Sequence, residues 1–367
     1  MAHPFRLVDL VQERIEGFLA ERASILLPVS GDLDALIGFS RRFLSGGKRF
    51  RAQFCYRGWE AVIDGEAASM PRGSREAIVS AAAALELFHA AALVHDDLID
   101  NSDTRRGAPS AHRLFESEHT ASDWAGDAGA FGRSAAILLG DLLLGWSDEL
   151  LDEGLTALGD PERARAARAA FTTMRTEVTA GQYLDILEEQ AWPVRNEAER
   201  RDVALRVVVY KSAKYSVEAP LAIGAAIGGA TPEQLAALRG YGLPLGIAYQ
   251  LRDDLLGVFG DPAVTGKPAG DDLREGKRTL LIAAARERLP ESARRLLDEL
   301  LGDPGLDTEQ IAMLQRTIAD SGAVDELEQM IAERVDEARG ALDGAPVAAS
   351  AAASLDALAT SVSRRSR

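Results

Sequence analysis

Apolar residues recur every three or four positions along almost the whole chain, and no stretch keeps the two-residue alternation of a half-buried strand. The spacing predicts helices over 7–22, 31–44, 48–64, 74–100, 133–158, 162–190, 196–228, 232–258, 272–288, 292–302, 307–320 and 323–342. Breaks fall at turn formers: Asp64-Gly65, Gly159-Asp160-Pro161 and Asp261-Pro262. Pro220 and Pro244 lie inside helical stretches and are expected to kink or divide them, because proline has no N–H to donate. No linker separates two halves. The pattern therefore reads as an all-α chain with a single domain over 1–367, its core spanning 30–343. The Ala- and Ser-rich segment 344–367 reads as a last helix that frays.

Composition narrows the class. Aromatic residues make up only 6% while Ala is abundant, which favours closely packed helices. The net charge of -16 argues against nucleic acid as a partner, since a phosphate backbone recruits a basic excess. Cys55 is the only cysteine, so no disulfide forms within the chain and a reducing, cytoplasmic setting is expected. The longest uncharged run, Ala219–Pro232, has 14 residues. A bilayer needs about 20, so no transmembrane segment is expected.

The helix over 74–100 is apolar until it ends in Asp96-Asp97-Leu98-Ile99-Asp100. At about 100° per residue, Asp100 lies ~40° and Asp97 ~100° from Asp96, so three carboxylates crowd one helix end. Clustered carboxylate oxygens suit Mg²⁺, yet an isolated DDxxD reads equally well as a solvated acidic terminus. Arg105 and Arg106 follow at once and change the balance. The guanidinium fork matches phosphate oxygens, so carboxylates and arginines together describe a site for a metal-bound diphosphate.

A second helix closes on Gln250-Leu251-Arg252-Asp253-Asp254-Leu255-Leu256-Gly257, followed by Lys267 and Lys277. Two acidic helix ends could share Mg²⁺ around one diphosphate, with the lysines supplying point charges. Gly46-Gly47-Lys48-Arg49-Phe50-Arg51 opens another helix, a place that favours an anion. Alone it is a weak signal. His89 lies seven residues before Asp96, nearly on its face, where a lone histidine is usually a core residue.

In order along the chain, GGKRFR, HAAALVHDDLIDNSDTRRG, LLGD at Leu138–Asp141, GQYLD at Gly181–Asp185, Lys211-Ser212, and QLRDD with its trailing lysines resemble the trans-type polyprenyl diphosphate synthases, such as farnesyl and geranylgeranyl diphosphate synthases. The resemblance implies a helical bundle of isoprenoid synthase type around a deep central cavity, usually a homodimer. It implies Asp96, Asp100 and Asp253 as the main Mg²⁺ ligands, with Asp97 and Asp254 supporting, and three ions when substrate is bound. Arg105, Lys211 and Lys267 would hold an allylic diphosphate. Lys48, Arg51, His89 and Arg106 would hold isopentenyl diphosphate, Lys277 would lie near the shared phosphates, and Ser212 and Gln250 would stand beside the reacting carbons. Two positions depart from the family pattern: Gly257 replaces a third Asp, and Ser212 stands where Thr is commoner. Lys214 has no assigned role.

In this family the growing chain runs beside the first acidic helix. Ala91, five residues before Asp96, and Ala92 are small, and Phe88 sits one turn deeper. Phe88 and Ala91 are separated by ~4.5 Å along the axis, similar to one isoprene unit. A geranylgeranyl product is expected, with a longer or farnesyl product as alternatives. A class I terpene cyclase would leave GGKRFR without a purpose, and a non-catalytic subunit of a heteromeric synthase would lack the carboxylates retained here.

Overall fold

The structure, a computed structural model, describes residues 4–63, 72–105, 107–261 and 270–363. It is helical nearly throughout. The residues group into two units, Met1–Ala169 with Ile223–Ala230, and Ala170–Ala222 with Thr231–Arg367.

The first unit is built on α4 (Arg72–Ile99), whose Ala-rich stretch from Ala81 to Phe88 is buried throughout. Small side chains let α6 (Ala128–Leu158) lie antiparallel along it. At Gly154 a Cβ would come within 2.5 Å of Ser80 Cβ, so the two helices touch at backbone distance. α1 (Pro4–Leu26) crosses both, with Arg14 donating to Ser80 at 3.1 Å and Arg22 to Glu153 at 2.7 Å. α2 (Asp34–Phe43) and α3 (Phe50–Ile63) complete this side of the core, with α5 (Ala111–Ala121) against α6. The periodicity had not marked α5, because only Leu114 and Phe115 supply large apolar contacts. A two-residue ribbon, β1 (Thr104–Arg105) with β2 (Ala108–Pro109), joins α4 to α5.

The second unit is organised by α10 (Pro232–Phe259), which starts on a Thr231–Gln234 capping box. Pro244 lies inside it and does not divide it. The helical stretch over 196–228, expected to kink or divide at Pro220, is α8 (Arg200–Val207), a π-helix (Val208–Glu218) and α9 (Ala219–Gly228). Pro220 accounts for this division. The last wide bond runs from the Ala219 N–H to the Lys214 carbonyl, and the next residue has no hydrogen to donate. Two glycines pinch the wide segment. A Cβ at Gly181 on α7 (Pro161–Ala191) would lie 2.3 Å from Lys211 N, and one at Gly246 on α10 would lie 2.5 Å from the Ala213 carbonyl oxygen.

The expected helix 272–288 is two pieces, α11 (Asp271–Glu275) and α12 (Leu280–Arg288), parted at Gly276, whose φ of 78° is left-handed. Helices Glu291–Leu300, Thr308–Asp320 and Ala323–Gly340 follow. Tyr241 donates to the Leu355 carbonyl at 2.7 Å and docks the last helix, Ala349–Ser363.

Among the described residues two helices are long and apolar enough to cross a membrane, over Gly73–Ile99 and Ala128–Leu158. In the first, 78% of the most apolar window is buried; in the second, only 28%.

Candidate active site

In the first unit α4 ends in a Schellman turn: Asn101 takes φ 51° and the Ser102 N–H donates to the Asp97 carbonyl at 2.9 Å. Asp96, Asp97 and Asp100 therefore stand at the negative end of a helix dipole, where carboxylates are unfavourable without a cation. The ribbon supplies one. Arg105 Nε donates to Asp97 Oδ1 at 2.8 Å, and its Nη2 lies 3.5 Å from Asp96 Oδ2. Asp97 is 1% exposed and its other oxygen has no partner; burial outweighs Arg105 and raises its carboxyl above the usual range.

The second unit repeats this division. Asp253 is partly exposed, while Asp254 beside it is buried with Oδ2 unpartnered. Burial pushes Asp254 up to about 8, Asp272 and Asp253 add to the rise, and the Gln250 amide, donating at 2.7 Å, and Lys277 oppose it. Lys277 lies 2.7 Å from Glu275 and 4.0 Å from Asp272.

Gly257 explains itself here. A Cβ on it would lie 1.9 Å from Asp272 Oδ2, so the Asp272 carboxylate occupies the space above this position. A third carboxylate thus reaches this helix from another segment. The Asp271-Asp272 pair was visible in the sequence, but nothing local tied it to residue 257. Arg252 faces the other way, with both amino groups on Glu328 at 2.6 Å, and ties the acidic helix to Ala323–Gly340.

Lys211 pairs with Asp185 of the GQYLD segment, across the close approach at Gly181. Ser212 beside it is partly exposed on the π-helix. Lys214, one turn on, pairs with Glu177, which gives it a structural partner.

Near the N-terminal end Lys48 is exposed, Arg51 is half-buried and both flank the start of α3. His89 is half-buried on α4; Phe88 and Ala91 are 5% and 2% exposed on the same helix, and Ala92 is partly exposed. His95 was not singled out in the sequence. Its Nε2 lies 3.5 Å from Asp141, and a Cβ on Gly140 would collide with its ring, so the LLGD segment seats this histidine beside the carboxylates. Arg106 and Lys267 lie outside the described residues.

Among the described residues no three His, Cys, Asp or Glu side chains converge into a ready-made metal site. The donor set fits Mg²⁺ nonetheless. It is all carboxylate oxygen, and Asp97 and Asp254 each keep a buried, unpartnered oxygen.

Asp254 also predicts a pH effect. Its folded value exceeds the 3.8 of a free carboxyl, so the folded protein binds the proton more tightly. That stability is present below about pH 4 and is lost as pH rises through about 8, at no more than ~1.4 kcal/mol per pH unit. Urea unfolding in EDTA at pH 5 and pH 8 should show a smaller pH difference in Asp254→Asn than in the wild type. An equal difference in both would remove Asp254 as its source.

The polyprenyl synthetase family pattern matches residues 36–318. A short chain isoprenyl diphosphate synthase of Methanothermobacter thermautotrophicus is 32% identical over 274 residues, 74% of each chain. A geranylfarnesyl diphosphate synthase of Aeropyrum pernix is 32% identical over 318 residues, covering 85% of this chain and 88% of that one. The crystal structure of a geranylgeranyl pyrophosphate synthase from Corynebacterium glutamicum, complexed with isoprenyl diphosphate and magnesium, superposes with a TM-score of 0.91 at 39% identity, over 98% of this chain and 99% of that one.

Proposed function

Because this chain belongs to the polyprenyl synthetase family and is a prenyltransferase, we propose that it joins isopentenyl diphosphate head to tail to an allylic diphosphate and that its product is geranylgeranyl diphosphate. The observation that carries the chemistry is the repeated carboxylate pair, one partner partly exposed and the other buried with an orphaned oxygen. Asp96, Asp100 and Asp253 are the main ligands for Mg²⁺ in this reading, three ions in all, with Asp97 and Asp254 supporting. Asp272 joins them in place of a third Asp at 257. When bound, the metal withdraws charge from the departing diphosphate.

The chain's own cations do the rest. Arg105, Lys211 and Lys267 hold the allylic diphosphate and stabilise the charge that gathers as its C–O bond breaks. Arg105 and Lys211 exchange a carboxylate partner for a phosphate one, and until then each is held in an ion pair. Lys48, Arg51, His89 and Arg106 bind isopentenyl diphosphate, and Lys277 lies near the phosphates. The double bond attacks the allylic cation, a C–C bond forms, and the proton lost from the adduct goes to pyrophosphate. Ser212 and Gln250 line the reacting carbons. No side-chain general base is required.

Product length rests on α4. Ala91 and Phe88 are buried one turn apart on the helix that carries Asp96, which leaves one extra rung below a farnesyl chain and then an aromatic stop. Chromatography of products from isopentenyl diphosphate with each allylic primer tests the reading, and a farnesyl or geranylfarnesyl end product would correct it.

The protein acts as a cytoplasmic homodimer in this reading. On α6, Phe131 and Leu138, seven residues apart on one face, are 37% and 61% exposed, large apolar side chains that a second copy would cover. Leu138→Asp should convert the dimer to monomer in sedimentation, whereas an unchanged dimer would place the interface elsewhere.

A further inference from the structure

The three cations of GGKRFR do not share one fate. Lys48 is exposed and Arg51 half-buried, but Arg49 between them is 7% exposed and turned into the first unit. Its backbone is left-handed, with φ 50°, a conformation uncommon for a residue with a side chain. Gly46 and Gly47 share that sign, at 67° and 82°. The loop thus carries three successive left-handed positions apart from Lys48, and at Arg49 a residue with a side chain takes one of them.

The holding group is identifiable. Arg49 Nη1 donates to Glu86 of α4 at 3.2 Å, its Nη2 to Gln12 of α1 at 2.6 Å, and the same Nη2 to the Leu44 carbonyl. Glu86, 6% exposed, accepts a second bond at 3.2 Å from the Ala52 N–H in the first turn of α3. The Arg49 carbonyl accepts the first bond of that helix, from the Gln53 N–H at 2.9 Å. One carboxylate thus pairs with the guanidinium at Nη1 and caps the helix that Arg51 belongs to. It stands one turn before His89 on α4, so the tie fixes Lys48 and Arg51 relative to His89.

We propose that Arg49 and Glu86 are positioning residues, a buried clamp that sets the register between the Lys48–Arg51 loop and the His89 turn and thereby sets affinity for isopentenyl diphosphate. The inference rests on the substrate reading above. Neither residue needs to touch the substrate. The pair acts by pre-organisation: a loop that must first find its conformation binds its anion more weakly.

Arg49→Gly separates the clamp from the backbone, since glycine adopts φ 50° freely while losing the guanidinium. Glu86→Gln keeps an acceptor for Ala52 and removes the charge that pairs with Arg49. Hydrogen exchange of the unliganded protein should accelerate at residues 45–52 in both variants and not in α10. The KM for isopentenyl diphosphate should rise about tenfold, with the KM for the allylic primer and kcat within about twofold of wild type. Lys48→Ala, the direct contact, should raise the same KM, and combining it with Arg49→Gly should raise it by less than the product of the two separate increases.

A merely structural pair would lower Tm and raise exchange while leaving the isopentenyl diphosphate KM unchanged, and that result overturns the proposal. Unchanged exchange at 45–52 overturns it as well. A wild-type protein that consumes no isopentenyl diphosphate strikes the substrate reading instead, because the exchange measurement reports on the clamp without substrate.

Discussion

Asp253→Ala or Asp96→Ala should lower the condensation rate by on the order of 10³-fold, while the metal-free protein keeps or slightly raises its melting temperature. The two effects have opposite signs for one reason. Asp96 stands with Asp97 and Asp100 at the negative end of α4, and Asp253 adds to the charge that raises Asp254. Each carboxylate repels its acidic neighbours in the unliganded fold, and that repulsion is offset once Mg²⁺ is bound. Steady-state turnover at saturating Mg²⁺, beside calorimetry in EDTA, reads both effects. Near-normal turnover in either variant would remove that residue from the metal site; a collapse in melting temperature would recast it as a structural acid.

Paired changes on α4 should move the product rather than the rate. Ala91→Phe puts a ring where the structure has a methyl, and the main product should shorten by one isoprene unit. Phe88→Ala removes the ring one turn deeper and should let chains grow past twenty carbons. Both positions are nearly fully buried, so each change carries a packing penalty: about 1–3 kcal/mol for the added ring and about 3–5 kcal/mol for the lost one. Chain lengths should therefore be measured at a temperature where both variants remain folded. If neither variant alters the chromatogram, α4 does not measure the chain and the geranylgeranyl assignment loses its support.

The helices were legible because α4, α6, α7 and α10 are long enough for their periodicity to accumulate. The carboxylate pairs were legible because their chemistry is local: two adjacent acids at an apolar helix end mean the same thing in any fold. What stayed hidden depends on partners distant in sequence. Arg49 has no role of its own in the sequence reading beside Lys48 and Arg51, because its partner Glu86 lies 37 residues away. Pro220 signals a kink or break, but the close approach of Gly181 and Gly246 on two other helices to the π-helix depends on residues far away in sequence. Gly276 between α11 and α12 was a readable stop, and the apolar rhythm on either side concealed it. Helix α5 was too polar to register.

The Asp272 carboxylate, resting in the volume above Gly257, also makes a statement about inheritance. Positions 257 and 272 compete for one volume. An aspartate arriving at 257 would have to displace the Asp272 carboxylate, and one departing from 272 would leave that space empty, so each change alone is expected to lower activity. The expected signature is epistasis: Gly257→Asp should impair the enzyme with Asp272 in place and be tolerated once Asp272 becomes Gly or Ser. Lineages of this family would then be expected to exchange the two residues together, the acid moving between helices while the number of charges around the metal stays constant.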